Sequence, residues 1–136
     1  MPRAHSIVTV AVLALAAVAA TASAKPANFS VHAKQTSFHQ SGAGTISFKE
    51  RLTRGSKTVG HDSVSCKPTV GDIETCTGTL TLTGKGSITV SGTLSESGGD
   101  SILKIRSGTG SYEHAKGTMR LHHTGATSEI LTFTFS

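Results

Sequence analysis

The chain has 136 residues, 36% of them hydrophobic, and a formal net charge of +5 at pH 7. This length is enough for one domain with one core. Its basic residues are scattered, and five Phe, one Tyr and no Trp are too few for a platform of stacking rings. The composition therefore speaks against a nucleic-acid-binding protein.

The first element, residues 1–24, has the pattern of a secretory signal peptide. A basic start with Arg3 precedes an apolar run at 7–22, and the segment ends in Ala-Ser-Ala before Lys25. An uncleaved membrane anchor is the alternative, but the run is short for a span of about 20 residues. We expect cleavage, export of residues 25–136 as one extracellular domain, and no membrane association afterwards.

From Phe29 onward apolar residues alternate with Ser and Thr, as in "TLTLTG" (79–84) and "ILTFTF" (130–135). A period of two is typical of antiparallel strands with one buried face. Glycine-containing turns separate eight predicted strands, near 28–35, 44–53, 56–66, 73–82, 86–95, 101–106, 115–123 and 127–135. The sequence predicts an all-β fold, a single eight-stranded antiparallel up-and-down barrel with an apolar interior; a sandwich is the alternative.

Strand parity predicts which side chains face the interior. The predicted lining of a cavity consists of Ile46, Phe48, Leu80, Leu82, Val90, Met119, Leu121, His123 and Phe133. Val64, Leu103, Leu131 and Phe135 extend the predicted core. An eight-stranded barrel either is filled by its own side chains or holds one small ligand. Both states remain open from the sequence.

The two cysteines are placed by the predicted hairpin that turns at Gly71. In its register Cys66 lies opposite Cys76, on the same face as Leu80. Directly opposed Cβ atoms are close enough for a disulfide, and an exported chain favours one. No histidine flanks the pair as a zinc site would require, so we expect neither a metal nor a cofactor.

The glycines of "GTGSYEHAKG" (108–117) raise the question of a phosphate-binding loop. Such a loop opens a helix, whereas this segment connects two predicted strands. We interpret Gly108, Gly110, Tyr112 and Gly117 as a structural loop, with Tyr112 packing over one end of the barrel.

The spacing G-T-G-x-[YF]-x-x-A-x-G in this loop resembles the allene oxide cyclase and dirigent protein superfamily. "FKERLT" (48–53), "KTVGHDSVSC" (57–66) and "GSITVSGTL" (86–94) resemble further family segments in the same order. The resemblance implies an eight-stranded antiparallel barrel with an apolar cavity, and relatives that form dimers or trimers. It also implies a role for Glu50, at the position of a catalytic Asp in dirigent proteins.

Two features depart from the enzymes of that superfamily. Allene oxide cyclases carry a Glu on the first strand, whereas residues 29–38 contain no acid. Their inward cysteine matches Cys66, which a disulfide would deprive of its thiol. The activity is therefore less transferable than the fold.

Three functions follow as hypotheses. The favoured one is an exported protein that binds a small apolar molecule in the barrel without catalysis. The others are an isomerase or cyclase that uses Glu50, and a structural or surface-interaction protein with a packed barrel. We expect a monomer or a small homo-oligomer.

Overall fold

The structure is a computed structural model that describes residues 24–71, 73–95 and 98–136. The predicted signal peptide, apart from Ala24, lies outside these residues. The strands are β1 (Phe29–Gln40), β2 (Ile46–Arg54), β3 (Lys57–Pro68), β4 (Ile73–Leu82), β5 (Gly86–Ser95), β6 (Ser101–Gly108), β7 (Gly117–Gly125) and β8 (Ser128–Phe135). No helix among the described residues is long and apolar enough to cross a membrane.

The eight strands form a closed antiparallel barrel, which confirms the predicted fold class. Each strand pairs with its neighbour in the chain, and β1 pairs with β8 through registers such as Val31 opposite Leu131. Closure leaves the paired part of the barrel without open sheet edges. The alternation in the sequence follows from this closure, because every strand has one face inside the barrel and one in water.

The interior is an apolar core built from the inward face of all eight strands. Its members include Val31, Ala33, Leu52, Leu80, Leu82, Ile88, Val90, Leu103, Ile105, Met119, Leu121, Leu131, Phe133 and Phe135, all buried. Side chains of these types stabilise the fold by roughly 1.5–3 kcal/mol each when they are fully removed from water.

One part of the predicted interior is less covered than expected. Strand β1 is longer than predicted: it pairs with β2 as far as Gln40 but with β8 only as far as Lys34. The β1–β2 hairpin therefore extends past β8. As a result Phe48 is only half-buried, and Phe38 opposite it is 54% exposed.

The disulfide joins Cys66 on β3 to Cys76 on β4, in the predicted register. Both residues are buried in the interior. The bond lies toward the barrel end at which the β3–β4 connection is found. Disulfides form and persist in oxidising compartments, so this feature is typical of an extracellular protein.

The glycine-rich segment connects β6 to β7 through a short 3₁₀ turn, Gly110–Tyr112. Gly110 has φ +60°, a conformation that side chains with a Cβ rarely adopt. The Ser111 amide donates to the Lys85 carbonyl at 2.8 Å, which ties the loop to the β4–β5 turn. A Cβ on Gly117 would collide with the Thr134 carbonyl oxygen, so glycine permits the close approach of β7 and β8. These contacts hold the segment against the β4–β5 turn and place β7 close to β8.

Candidate functional site

Among the described residues, three carboxyl side chains lie inside the barrel. Glu50 on β2 pairs directly with Asp62 on β3, and Glu129 is the first inward residue of β8. Their exposed fractions are only 4%, 2% and 7%. Charged residues are rarely buried without partners, so this cluster, hereafter the acid cluster, differs sharply from the apolar core around it.

The acid cluster borders a small cavity of about 20 Å³. The other walls are apolar, formed by Phe48, Val64, Gly78, Leu80, Val90, Leu94, Leu103, Met119, Leu121 and Leu131. A cavity of this size has room for one water molecule. Two buried oxygens, Oε1 of Glu50 and Oδ1 of Asp62, have no hydrogen-bond partner among the described residues.

Burial changes the acidity of all three groups. Desolvation, followed by the charges of Asp62 and Glu129, raises the pKa of Glu50 from 4.5 to about 11. Desolvation also raises the pKa of Asp62 from 3.8 to about 7, and it raises the pKa of Glu129. The three carboxyls therefore share protons. At neutral pH the raised pKa values favour the retention of a proton within the cluster.

His123 links the acid cluster to the surface. Its Nδ1 lies 3.6 Å from Oε2 of Glu129, and its side chain is 36% exposed. The ring is thus at the rim of the barrel, on the side toward which Phe48 and Phe38 extend. His123 therefore lies between Glu129 and the surrounding water.

Sequence reasoning identified Glu50 but not its two partners. The alternation of inward and outward residues along β3 and β8 does indicate that Asp62 and Glu129 face the interior. Asp62 lies opposite Leu80 in the hairpin that places the cysteines, and Glu129 precedes Leu131 by two residues. A residue two positions from a core residue on the same strand shares its face. The barrel closure then brings β8 and β1, and with them Glu129, near Glu50.

The predicted cavity-lining residues separate into three groups. Phe48, Leu80, Val90, Met119 and Leu121 line the cavity of the acid cluster. Leu82 and Phe133 belong to the other half of the interior, where Phe133 has no exposed surface. His123 is at the rim, and Ile46 is half-buried opposite Cys66.

A possible metal-ligand group does occur among the described residues, but its sulfurs are already bonded. Ligand atoms of Cys66, Glu74 and Cys76 lie within 4.8 Å of one another. A cysteine binds metal as a thiolate, and both of these sulfurs are joined in the disulfide. In the oxidised protein this group is a covalent link between strands.

Comparison with known proteins finds a similar fold among solved structures. Among solved structures, pyocyanin demethylase has a TM-score of 0.70 and 20% sequence identity, over 81% of this chain and 100% of that chain. No protein-family model and no curated protein sequence matches the chain. At this identity the likeness shows a shared barrel fold and carries no activity with it.

Proposed function

We propose that this protein binds a small, largely apolar conjugated molecule at the acid cluster and acts on it by proton transfer, with Glu50 as the proton donor. The observation that carries the proposal is the buried acid cluster with its two unpartnered oxygens. A barrel that needed only stability would fill these positions with apolar side chains, because each buried carboxyl costs free energy.

Glu50 and Asp62 have complementary acidities. Glu50 remains a neutral carboxylic acid at neutral pH, since its pKa is raised to about 11, and is able to donate a hydrogen bond or a proton. The pKa of Asp62 is raised to about 7, which is near the optimum for accepting and returning a proton at physiological pH. Neighbouring carboxyls whose pKa values differ in this way are typical of acid–base sites.

The chemistry that this pair supports is an isomerisation. Glu50 gives its proton to a carbonyl or similar acceptor oxygen of the substrate, while the Asp62 carboxylate takes a proton from an adjacent carbon. The protonated Asp62 then gives its proton to a different carbon of the conjugated system, and the substrate oxygen returns its proton to Glu50. Both carboxyls regain their starting states, so atoms and electrons balance without a cofactor. Glu129 and His123 connect the cluster to water for proton exchange.

The direction of access follows from the packing. Leu52, Ile88 and Phe133 are buried with essentially no exposure and fill the barrel on the other side of the acid cluster. The rim near the cluster carries the half-buried Phe48 and the exposed Phe38, which offer apolar contacts to an incoming ring. The ligand is expected to enter here and to displace the Phe48 side chain.

Pyocyanin is a suitable first probe, because the similar barrel carries that compound in its name. We expect binding by the wild-type protein, measured by calorimetry and by the change in pyocyanin absorbance. Glu50→Gln should weaken binding about tenfold or more, since it replaces the donor acid. The matched control is Glu113→Gln, an exposed acid in the β6–β7 loop, which should bind as the wild type does.

The state of the acid is tested separately by infrared spectroscopy. We expect a protonated carboxyl band in wild-type protein at pH 8 that is missing in Glu50→Gln. If all carboxyls are ionised at pH 8, the proposed donor does not exist. If the band is present but neither pyocyanin nor conjugated ketones bind, the acid cluster has no role with this class of molecule.

A second candidate function rests on the cavity size. With about 20 Å³ beside the acid cluster, the interior is close to solid, as in a structural or surface-interaction protein. This candidate would be favoured if the protein bound neither a conjugated ketone nor pyocyanin and if Glu50→Gln kept the wild-type fold.

We also propose that the protein is exported and cleaved after Ala24. The disulfide supports export, and mass spectrometry of secreted protein should find Lys25 at the N-terminus and a mass two hydrogens below that of the reduced chain. Membership of the allene oxide cyclase and dirigent superfamily stays a prediction from the sequence motifs.

A further inference from the structure

A second, larger concavity lies at the opposite end of the barrel from the rim at His123. Its volume is about 620 Å³, and the proposed cleavage removes one of its wall residues, Ala24. The other described wall residues are Pro26, Ala27, Asn28, Phe29, Val31, Arg54, Lys57, Thr58, Val59, Leu82, Thr83, Lys85, Ser111 and Tyr112. We call it the cup. Leu52, Ile88 and Phe133 separate it from the acid cluster.

The cup combines an aromatic surface with a basic rim. Phe29 and Tyr112 lie with ring centroids 6.2 Å apart, and the Arg54 guanidinium lies 5.6 Å from the centroid of Phe29. Lys57 and Lys85 add two exposed cations. None of the described residues that line the cup has a carboxylate, so these three positive charges are not neutralised by that part of its wall.

The walls are held in place by the backbone. The Lys85 amide donates to the Leu82 carbonyl at 3.0 Å, and the Thr83 amide donates to the Val59 carbonyl at 2.9 Å. On the other side, Asn28 Oδ1 accepts a hydrogen bond from the Phe135 amide at 2.9 Å. A concavity with a fixed frame binds a ligand with less loss of conformational freedom than a mobile surface does.

We propose that the cup is a binding site for a soluble small anion that carries an aromatic ring, such as an aryl carboxylate or sulfonate. The ring contacts Phe29 and Tyr112, and the acid group lies among Arg54, Lys57 and Lys85. A volume of about 620 Å³ is in the range of small-molecule sites. Three cations around a concavity match a single anionic group, whereas a nucleic acid or a membrane requires an extended basic surface.

The probe for this site is 1-anilinonaphthalene-8-sulfonate, whose fluorescence rises in an apolar environment. We expect saturable binding with one probe per chain, weakened by added salt. The double variant Arg54→Gln/Lys85→Gln should bind the probe about tenfold more weakly. The uncharged N-phenyl-1-naphthylamine should bind this variant nearly as well as it binds the wild type.

The matched control removes two exposed cations outside the cup, with Lys34→Gln/Lys104→Gln. This control has the same net charge as Arg54→Gln/Lys85→Gln and should bind the sulfonate probe with the affinity of the wild type. Thr58→Trp, at an exposed position in the cup wall, should fill the cup and abolish binding of both probes. Thermal unfolding of each variant establishes that the fold is retained.

Three results would overturn the proposal. If Lys34→Gln/Lys104→Gln and Arg54→Gln/Lys85→Gln lose the same affinity for the sulfonate probe, the probe is attracted only by the net charge of the protein. Retained binding in Thr58→Trp would place the probe elsewhere. Loss of sulfonate-probe binding in Glu50→Gln would show that the probe binds at the acid cluster. The proposed function of the acid cluster would then remain, and the proposed site in the cup would be rejected.

Discussion

The two halves of the barrel interior differ in chemistry although the same eight strands form both. Strand β8 shows the change within a few residues: its inward side chains run from Glu129 through Leu131 to Phe133 and Phe135. At one end three carboxyls surround a cavity with room for one water. At the other, Phe133 stacks on Phe29 at 4.7 Å between ring centroids.

This difference separates stability from function within one core. The aromatic half buries large apolar side chains, which favour the folded state. The acid half places ionisable groups out of water, which opposes folding as soon as those groups must ionise. The disulfide lies toward the acid half and offsets part of that cost.

The largest expected effect is an inverted pH dependence of stability. The raised pKa values of Glu50, Asp62 and Glu129 mean that the folded state holds more protons than the unfolded one. The free energy of unfolding therefore falls as the pH rises from about 4.5 toward 8, by on the order of 4 kcal/mol for Glu50 alone. Chemical denaturation at a series of pH values measures this slope.

The variant Glu50→Gln should remove the part of that slope that Glu50 contributes, and the part from Asp62 and Glu129 should remain. It is expected to unfold at higher denaturant concentration than the wild type at pH 8 and at a similar concentration at pH 4.5, because an amide carries no proton to lose. Glu113→Gln, at an exposed position, is the control and should follow the wild-type profile. A wild-type stability that rises from pH 4.5 to 8 would contradict the account of the acid cluster.

The next effect concerns the bond that restrains the acid half. Cys66→Ala/Cys76→Ala should lower the free energy of unfolding by about 3 kcal/mol in the chain-entropy model for a loop of this length. Hydrogen exchange should show faster opening of β3 and β4 near the acid cluster than of β8 near Phe133. Equal acceleration in both halves would show that the disulfide acts on the whole barrel alike.

A smaller effect is expected in the aromatic half. Phe133 contacts Phe29 and Phe135, so Phe133→Leu should lower the free energy of unfolding by about 1–2 kcal/mol. Because the ring is remote from the carboxyls, the pH slope should remain that of the wild type. A changed slope would mean that the two halves are coupled through the core.

The sequence predicts the fold well and the acid cluster poorly, for identifiable reasons. Local alternation and glycine turns determine eight strands, and the hairpin register places Cys66 against Cys76. The meeting of Glu50 with Glu129 depends on barrel closure between β1 and β8, whose residues are about a hundred positions apart in the chain. Strand parity indicates that both face inward, but it does not give the distance between them.

The cavity and the cup were beyond sequence reasoning for another reason. Whether an eight-stranded interior is filled depends on side-chain volumes in contact around the whole barrel. The extension of β1 to Gln40, with a bulge between Gln35 and Ser37, also changes which residues cover the acid half. A period-two pattern indicates only the face of the strand on which a side chain lies. It contains no information on how side chains fill the barrel or on how far β1 extends.

The smallest effect is expected from an acid outside the barrel. Asp100 contacts His122 at 2.6 Å and Arg120 at 3.0 Å, and its hydrogen bond with His122 lowers its pKa, opposite to the shift of Glu50. The stability that it contributes is present above its ordinary pKa and is lost as the pH falls. Since the group is exposed and screened by water, Asp100→Asn should leave the unfolding midpoint unchanged at pH 7. A clear destabilisation would show that surface pairs, and not only the interior, set the pH response of this barrel.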